Sequence, residues 1–524
     1  MTKSAHIDRF AADRLPDRAT WPEFIFDKNV PPYPDVLNAA EELLNNGFNN
    51  RPAIYMDDIV WSYDDLNKNA NSVAAVLCDN FGLVPGNRVL LRGNNTPMLA
   101  ALWYGVLKAG GIVITTMTML RQKELDGIIT VGQPDIIIIE DNLPIDVFES
   151  CQGKARSVLS YSDMEAAMKK KSGQFEAVKT ASDDVALLAF TSGTTGLPKA
   201  TMHFHRDILA MADSFAKYTL KPLPGDVFCG SPPLAFTFGL GGLLVFPARF
   251  GAAVAYFKGA GPDIILDTIE KFKVTTLFTA PTAYKVLAEK LEGREISSLK
   301  TCVSAGENLS LQISDKFYDA TGIRLIDGIG ATEMIHVFIS ASGGEIRPGS
   351  TGKPVPGYQA EIWDDQNIPL GDQEAGRLAV KGPTGCRYLN GDRQQNYVIN
   401  GWNITGDIFK RDKDGYFWFV ARGDDIIISA GYNIAAPEVE QAVMAHEAVK
   451  ECAVVGAKDP DRGMIVKAFV ILNDGFEKNK DLISEIQNFV KANIAPYKYP
   501  RAIEFIDALP KSATGKLLRK DLKD

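Results

Sequence analysis

Histidine and cysteine are scarce in this chain, and neither is clustered. The 524 residues include five histidines and six cysteines, the latter at Cys78, Cys151, Cys229, Cys302, Cys386 and Cys452. No two cysteines are separated by two residues, so the spacings of a zinc site or a redox dithiol are missing. Scattered thiols of this kind are typical of a reducing compartment, and we expect most of them to be buried.

Long apolar runs and an excess of basic charge are also missing. The 65 acidic residues outnumber the 56 basic ones, which gives a formal net charge of −9. Nonspecific nucleic-acid binding needs a cationic surface, which this balance disfavours. The apolar stretch at residues 99–114 is interrupted by Lys108 and two glycines, and the first ten residues lack the apolar core of a signal peptide. We therefore expect a cytoplasmic protein without a membrane span.

The order of apolar segments predicts an α/β protein. At about 150 residues per domain, a chain of 524 residues holds three or four units. From about residue 51 onward, strand-like and helical segments alternate, which predicts parallel sheets flanked by helices. The predicted strands are residues 89–91, 111–115, 135–140, 185–190, 251–257 and 275–279, and the predicted helices are 98–107, 263–272 and 283–292. A β-rich subdomain is expected at about 345–422, and a small separate domain from about 425.

The segment Thr191–Lys199 is the most informative stretch of the chain. It follows the apolar strand at 185–190 and combines hydroxyl side chains, two glycines and a lysine in a short loop. Glycines allow backbone N–H groups to approach a ligand closely, and hydroxyls and a cation add donors, so a polyphosphate is the expected guest. The loop is not a Walker A motif, which would need glycine at Pro198. The alternative interpretation is an ordinary surface turn.

Further clusters follow this loop along the chain. They are Ser304–Glu307, Asp327–Glu333, Gly401–Asp407, Arg422 with Asp424, Ser429–Ile434 and Pro510–Lys516. Taken in this order, the loop and the clusters resemble the motifs of the adenylate-forming acyl-CoA synthetases, from about residue 50 to the end. The resemblance implies a large N-terminal AMP-binding domain over residues 1–423 and a small mobile C-terminal α+β lid domain over 424–524.

The family resemblance also implies a reaction. Its members join a carboxylic acid to ATP, which gives acyl-AMP and pyrophosphate, and coenzyme A then displaces AMP to form a thioester. ATP, Mg²⁺ and coenzyme A are therefore the expected cofactor and co-substrates. No histidine or cysteine dyad is needed, because a carboxylate is already nucleophilic and the protein mainly positions reactants and balances charge.

Roles in nucleotide binding are carried over from the resemblance. The β- and γ-phosphates would be held by Thr191, Ser192, Gly193, Thr194, Thr195, Gly196 and Lys199. The adenine site would include Ala305, Gly306, Glu307, Asp327 and Gly328. The ribose would bind Asp407 and Arg422, and the catalytic residues would be Thr332 at the α-phosphate, Glu333 as the Mg²⁺ ligand and Lys516 at the carboxylate and α-phosphate.

Several of these residues have structural alternatives, and two positions depart from the family pattern. A Thr-Glu pair is also typical of a helix N-terminus, and Glu307 could belong to a tight turn packed on the sheet. Lys516 has other lysines nearby, as in a solvated tail. Ile329 stands where many members have tyrosine, and Ala421 stands where a glycine usually precedes the arginine.

The C-terminal clusters imply movement and a coenzyme A path. Asp424 stands at the position of the family's hinge, where exposed backbone must tolerate changed dihedral angles. The neighbouring Asp425 is interpreted as a turn residue. Gly431 and Tyr432 lie in the loop that, by resemblance, lines the pantetheine tunnel during the thioester half-reaction.

The acid site resembles the benzoate-CoA ligase branch, including its 2-aminobenzoate subgroup. The expected pocket residues are Phe236, Thr237, Phe238, Gly239, Gly330, Ile335 and His336. Aromatic walls suit a flat ring, so benzoate or a substituted benzoate is the expected acid. His336 could instead be a core histidine, and Thr237 could pack in the apolar wall without contacting a ring substituent.

Three rival functions remain open at this stage. The chain could ligate short or medium aliphatic acids, pass the acyl group to a carrier protein, or be a non-catalytic nucleotide-binding protein on the same fold. Intact Glu333, Asp407 and Lys516 disfavour the last of these. A homodimer is a further expectation from the family.

Overall fold

The computed structural model of the chain describes residues 3–45, 47–120, 122–191, 197–391, 393–429, 432–459, 463–494, 498–512 and 517–523. Its strands, in chain order, are β1 Pro52–Met56, β2 Ile59–Ser62, β3 Arg88–Arg92, β4 Ile112–Thr116, β5 Ile136–Ile139, β6 Ser157–Ser160, β7 Val185–Thr191, β8 Lys199–Phe204, β9 Val227–Gly230, β10 Ala253–Ala255, β11 Thr276–Thr279, β12 Thr301–Ser304, β13 Ile326–Gly330, β14 Val337–Ser340, β15 Lys353–Pro354, β16 Gln359–Trp363, β17 Ala375–Lys381, β18 Val398–Ile399, β19 Trp402–Arg411, β20 Phe417–Arg422, β21 Ile426–Ser429, β22 Tyr432–Ala435, β23 Val449–Asp459, β24 Gly463–Leu472 and β25 Ala502–Phe505.

The helices alternate with these strands through most of the chain. They are α1 Ala39–Leu44, α2 Tyr63–Asp79, α3 Pro97–Lys108, α4 Gln122–Gly132, α5 Ile145–Cys151, α6 Tyr161–Met168, α7 His205–Met211, α8 Thr237–Leu240, α9 Phe246–Phe250, α10 Pro262–Phe272, α11 Pro281–Ala288, α12 Leu311–Thr321, α13 Gln394–Tyr397, α14 Ala436–Met444 and α15 Lys480–Asn493. Two π-helical segments, Ala212–Leu220 and Gly241–Val245, continue from α7 and α8.

Contacts divide the chain into two compact units. Unit 1 comprises Met1–Ala360 and Ala379–Ile404, and unit 2 comprises Glu361–Leu378 and Thr405–Asp524. The division falls within β16, β17 and β19, inside the segment predicted to be β-rich. A division by contacts does not locate a hinge, so the domain boundary expected between residues 423 and 424 stays a prediction.

Unit 1 contains two large sheets. The first has the order β6-β5-β3-β4-β7-β8, and all its neighbouring strands are parallel except the β7–β8 pair. The second has the order β15-β14-β13-β12-β11-β9-β10-β1-β2, parallel from β13 to β1 and antiparallel at both ends. Crossover helices cover these parallel strands, as the alternation predicted, and give each sheet its own buried core.

Unit 2 has a separate small core. Its three-stranded sheet has the order β23-β24-β25, and α14 and α15 supply apolar residues against it, with Val439, Val443, Ile486 and Val490 fully buried. A two-stranded pair, β21 and β22, adds Ile427 and Ile434 to the same core. The C-terminal segment predicted from about residue 425 lies within this unit, which also includes Glu361–Leu378 and begins again at Thr405.

Two predicted elements differ from the observed ones. The strand expected at 251–257 is shorter, because Gly251 takes φ +68° and ends α9 before β10 begins at Ala253. The helix expected at 283–292 runs instead over Pro281–Ala288, since proline is favourable at a helix start. All six cysteines are unpaired and five are buried, as expected.

Candidate functional site

The predicted phosphate loop connects two antiparallel strands. Thr191, the last residue of β7, pairs with Lys199, the first residue of β8. Ser192, Gly193, Thr194, Thr195 and Gly196 lie outside the described residues. A Walker A loop leads from a strand into a helix, whereas the residues after this loop form an antiparallel strand, which supports the distinction made from the sequence.

The second cluster forms the turn between β13 and β14. Position 330 requires glycine, because a Cβ there would lie 2.7 Å from the carbonyl oxygen of His336. Thr332–Met334 form one turn of 3₁₀-helix, and Thr332 and Glu333 are half-buried. Ile335 then takes φ +66°, a left-handed conformation that β-branched residues rarely adopt. The turn thus holds backbone strain directly beside the predicted catalytic pair.

Two residues that the sequence did not single out contact this pair. The hydroxyl of Tyr388 donates a 2.6 Å hydrogen bond to Oε1 of Glu333. The imidazole of His203, on β8, lies 2.8 Å from the carbonyl oxygen of Thr332. Both contacts join residues more than fifty positions apart, so no local pattern in the sequence could have indicated them.

The predicted adenine residues lie at the ends of neighbouring strands. Ser304 of β12 is in register with Asp327 of β13, and Ala305, Gly306 and Glu307 follow β12 directly. Gly306 takes φ +89°, which supports the tight-turn geometry proposed for this stretch. Gly328 also needs to be glycine, because a Cβ would lie 2.9 Å from Val337.

Asp327 is an unusual carboxyl. Burial raises its pKa to about 7, although the backbone N–H of Gly328 and the hydroxyl of Thr351 offset part of this effect. Its own carbonyl oxygen accepts a 2.6 Å hydrogen bond from Ser340. Near neutral pH this side chain therefore exists in both protonation states, and it can accept or donate a hydrogen bond.

The predicted acid pocket is centred on His336. Its ring centroid lies 4.6 Å from that of Phe246, 5.5 Å from Phe215 and 5.9 Å from Phe238. The residue is 2% exposed, and burial lowers the pKa of His336 to about 3, so the imidazole is neutral at pH 7. Its Nε2 lies 3.4 Å from the carbonyl oxygen of Phe238.

Two glycines, Gly239 in α8 and Gly241 directly after it, allow close contacts that a side chain would block. A Cβ on Gly239 would lie 2.2 Å from the carbonyl oxygen of Pro233, and one on Gly241 would lie 2.3 Å from Cδ2 of His336. Phe236 and Thr237, at the start of α8, are half-buried. Asn95, which the sequence analysis missed, anchors the preceding loop by accepting the Leu234 N–H at 2.8 Å.

The two predicted ribose ligands lie side by side in unit 2. Asp407 of β19 is paired with Arg422 of β20, and Nη1 of the arginine lies 3.0 Å from Oδ1 of the aspartate. The aspartate side chain is 7% exposed and the arginine side chain is 60% exposed. A carboxylate can accept bonds from both hydroxyls of a ribose, and the exposed guanidinium can add a donor.

The C-terminal candidates are described only in part. Asp424 lies in the 3₁₀ turn Gly423–Asp425, and Tyr432 begins β22. Gly431 and Lys516 lie outside the described residues. The guanidinium of Arg519 pairs with Asp425 at 3.0 Å and with Glu440 at 2.7 Å, a part-buried group of charges that the sequence analysis did not identify.

Two features are absent from the part of the chain that the structure describes. No group of three or more histidine, cysteine, aspartate or glutamate side chains is arranged to hold a metal ion in this part of the chain. None of the helices in the described ranges is long and apolar enough to cross a membrane.

Comparison with known proteins agrees with this arrangement. The sequence model of the AMP-binding enzyme family matches residues 43–388, and that of the AMP-binding enzyme C-terminal domain matches residues 438–516. The benzoate–CoA ligase of Thauera aromatica is 32% identical over 516 residues, covering 94% of this chain and 98% of the relative. The mitochondrial acyl-coenzyme A synthetase ACSM3 of Homo sapiens is 33% identical over 489 residues, or 89% of this chain and 83% of that one.

A solved structure shares the fold over nearly the whole chain. The anthranilate CoA ligase AuaEII in complex with anthranoyl-AMP superposes with a TM-score of 0.88 at 32% identity, covering 94% of this chain and 97% of that one. The predicted fold class, a large N-terminal α/β domain with a smaller C-terminal domain, is thereby confirmed. The chain belongs to the AMP-binding enzyme family, and it is an acid–thiol ligase, an AMP-forming acyl-CoA synthetase that uses ATP and coenzyme A.

Proposed function

We propose that this ligase converts an aromatic carboxylate, benzoate or a substituted benzoate such as 2-aminobenzoate, to its CoA thioester through an acyl-AMP intermediate. The observation that carries the proposal is the ring-lined wall around His336. Phe215, Phe238 and Phe246 have their ring centroids within 6 Å of the imidazole. Aromatic rings pack favourably edge-to-face or offset at such distances, so a flat acid gains more there than a flexible chain does.

The charge state of the wall supports the same acid. A neutral imidazole beside phenyl rings offers no cation, so it suits the ring of the substrate rather than its carboxylate. Gly241 brings the backbone after α8 close to the wall, because it has no Cβ to contact the imidazole. Similar proteins that are aryl-acid CoA ligases, for benzoate and anthranilate, add support from outside the chain.

Glu333 is proposed as the protein ligand of Mg²⁺, with Thr332 at the α-phosphate. Magnesium typically binds one or two carboxylates and completes its shell with phosphate oxygens and water, so a single glutamate fits this need. Bound there, the ion would neutralise charge on the departing pyrophosphate. Glu333 is half-buried and already oriented by the hydroxyl of Tyr388, which leaves its second carboxylate oxygen for this role.

The remaining nucleotide contacts are proposed from position. The hairpin from Thr191 to Lys199 would bind the β- and γ-phosphates, Asp327 the adenine, and Asp407 with Arg422 the ribose. Lys516 would balance the charge that develops between the carboxylate and the α-phosphate. The remaining proposed contacts are Ala305, Gly306, Glu307 and Gly328 at the adenine, Gly330 and Ile335 at the acid, and Gly431 and Tyr432 along the coenzyme A path.

The domain roles are proposals as well. Residues 1–423 would bind acid, ATP and magnesium, and residues 424–524 would turn about Asp424 between the two half-reactions. A hinge needs only a few residues that absorb the dihedral change, and the turn Gly423–Asp425 is of that kind. The expected homodimer and the cytoplasmic location stay predictions.

A short or medium aliphatic acid is the second candidate substrate. The human acyl-coenzyme A synthetase ACSM3 is as similar to this chain as the benzoate ligase is, and its name specifies no aromatic acid. A hydrocarbon chain could also pack against the apolar wall around His336, although it would gain less from aromatic rings and would lose more conformational entropy.

The test is a thioester-forming assay of the purified protein with ATP, Mg²⁺, coenzyme A and one acid at a time. Benzoate, 2-aminobenzoate and hexanoate are compared by kcat/KM, since specificity is a ratio of these constants. A preference for a benzoate supports the proposal, and a preference for hexanoate refutes it. Acid-dependent ATP–pyrophosphate exchange with no AMP release on addition of coenzyme A would instead favour transfer to a carrier protein.

A further inference from the structure

Strand β8 carries a buried histidine that the assigned chemistry does not use. His203 is 0% exposed, and its Nε2 lies 2.8 Å from the carbonyl oxygen of Thr332 and 3.1 Å from Oγ1 of Thr201. A carbonyl oxygen can only accept a hydrogen bond, so Nε2 must carry the proton. Burial also lowers the pKa of His203 to about 4, and the ring is therefore a neutral donor at pH 7.

Surrounding groups hold this ring in one orientation. Thr201 donates its hydroxyl to the carbonyl oxygen of Ala189, which leaves its lone pairs facing the imidazole N–H. On the opposite side, Nδ1 of His203 carries no proton and has no hydrogen-bond partner among the described residues; the carboxylate of Asp207, bonded to the buried Arg387, lies 3.9 Å away. The ring is therefore oriented by its Nε2, which faces both Thr332 and Thr201.

Tyr388 makes a second contact, to the adjacent residue. Its hydroxyl donates to Oε1 of Glu333 at 2.6 Å, and burial together with the nearby carboxylate raises the pKa of the phenol, which keeps it protonated. Tyr388 forms a β-bridge with Thr201, and the N–H of Leu389 donates to the carbonyl of Ala200 at 2.9 Å. The tyrosine therefore lies beside β8, on which His203 lies.

The peptide that these two side chains hold is under strain. Ile335, three residues after Thr332, takes φ +66°, and such a conformation persists only where the surroundings determine it. The carbonyl of Thr332 accepts both the His203 donor and the N–H of Ile335, the latter at 3.1 Å. Strand β8 begins at Lys199, the last residue of the predicted phosphate loop, and it also carries His203, which contacts this turn.

We propose that His203 and Tyr388 are positioning residues that hold the Thr332–Glu333 pair for adenylation, His203 through the backbone and Tyr388 through the carboxylate. This inference rests on the proposed function, because it matters only if the pair acts on ATP and Mg²⁺. Residues that orient a metal ligand typically change metal affinity or activity by about 10–100-fold when they are removed. A role in packing alone would lower stability without a selective effect on magnesium.

The experiment compares Tyr388→Phe, His203→Leu and His203→Gln with a matched control, Tyr63→Phe. Tyr63 is also buried in unit 1, but its hydroxyl donates to the carbonyls of Pro247 and Ala252. For each variant, acid-dependent ATP–pyrophosphate exchange gives kcat, the KM for the acid and the half-saturating Mg²⁺ concentration. Thermal unfolding is measured in parallel. The acid is whichever one the unmodified protein accepts.

Tyr388→Phe should raise the half-saturating Mg²⁺ concentration by about tenfold or more and leave the KM for the acid unchanged. His203→Leu should lower kcat of the exchange by a similar factor, and His203→Gln, which keeps an N–H at the same reach, should restore most of it. Wild-type magnesium dependence in Tyr388→Phe, matching the Tyr63→Phe control, would overturn the proposal. Tyr388→Phe removes one oxygen atom, so it decides the question even if His203→Leu does not fold. A preference for hexanoate would refute the aryl-acid assignment and leave this test intact.

Discussion

Replacing Gly241 with alanine should disturb the wall of the acid pocket. The added Cβ would lie 2.3 Å from Cδ2 and 2.5 Å from Nε2 of His336, and 2.8 Å from Cζ of Phe246. Both neighbours are rings, and His336 also packs against Phe215 and Phe238, so it has little room to move aside. One methyl group therefore forces the imidazole and the phenyl ring apart.

The magnitude follows from two opposing effects. Gly241 is in a helical conformation, where alanine is favoured over glycine by about 0.5–1 kcal/mol. Overpacking a well-filled interior costs about 1–3 kcal/mol. With three contacts shorter than 3.0 Å, we expect the cost of overpacking to exceed the gain in helix propensity, so the variant is less stable. We also expect kcat/KM for benzoate to fall by about tenfold, which corresponds to about 1.4 kcal/mol.

The assays are thermal unfolding and thioester formation, with Gly225→Ala as the control. A Cβ at Gly225 would meet nothing within 4 Å, so that variant should behave like the unmodified protein. Unchanged stability and unchanged kcat/KM in Gly241→Ala would refute the reasoning, because the wall would then be softer than its contacts imply. A loss of stability without a change in kcat/KM would separate the wall from the acid site.

Three further changes test other parts of the site. Asp327→Asn should stabilise the protein, and the gain should grow from pH 4 to about 7 and then level off. Between these pH values the carboxyl is ionised in the unfolded chain but still protonated in the fold, where burial raises its pKa, so the wild-type aspartate costs stability. Unfolding midpoints from pH 4 to 8 check this. Glu440→Gln should destabilise unit 2 by about 1–3 kcal/mol, because the charge-assisted hydrogen bonds from Arg519 weaken while Asp425 still pairs with the guanidinium at 3.0 Å; denaturant unfolding measures it. Lys516→Ala should slow adenylation by about 10²–10³-fold and retain most of the thioester half-reaction from supplied acyl-AMP, and equal loss of both rates would contradict its role.

The alternation of apolar segments predicted most of unit 1 correctly. The strands at 89–91, 111–115, 135–140 and 185–190 are observed as β3, β4, β5 and β7 of one parallel array. Long buried strands and amphipathic crossovers carry a strong local pattern, which explains this agreement. The errors at Gly251 and Pro281 both concern the boundaries of an element, and these boundaries depend on single residues that favour a turn or a helix start.

The contacts that hold the proposed catalytic pair and the loop before α8 could not be predicted in the same way. His203, Tyr388 and Asn95 act on partners brought near by the pairing of distant strands and loops, and their local sequence is that of ordinary core or turn residues. The proposed ribose ligands could be found from the sequence, since Asp407 and Arg422 belong to recognisable clusters, and the register of β19 and β20 places them together. For His336, the 2% exposure and the surrounding rings agree with the core-histidine alternative, and its place at the acid stays a prediction.

The most direct test of the aromatic-acid assignment is a competition in one vessel. Equal concentrations of benzoate, 2-aminobenzoate and hexanoate are supplied with ATP and Mg²⁺, and limiting coenzyme A is added. The thioesters are then separated by mass, and their proportions report the ratios of kcat/KM. Aryl-CoA products should predominate if the wall around His336 binds the ring of the substrate. A predominance of hexanoyl-CoA would contradict that assignment.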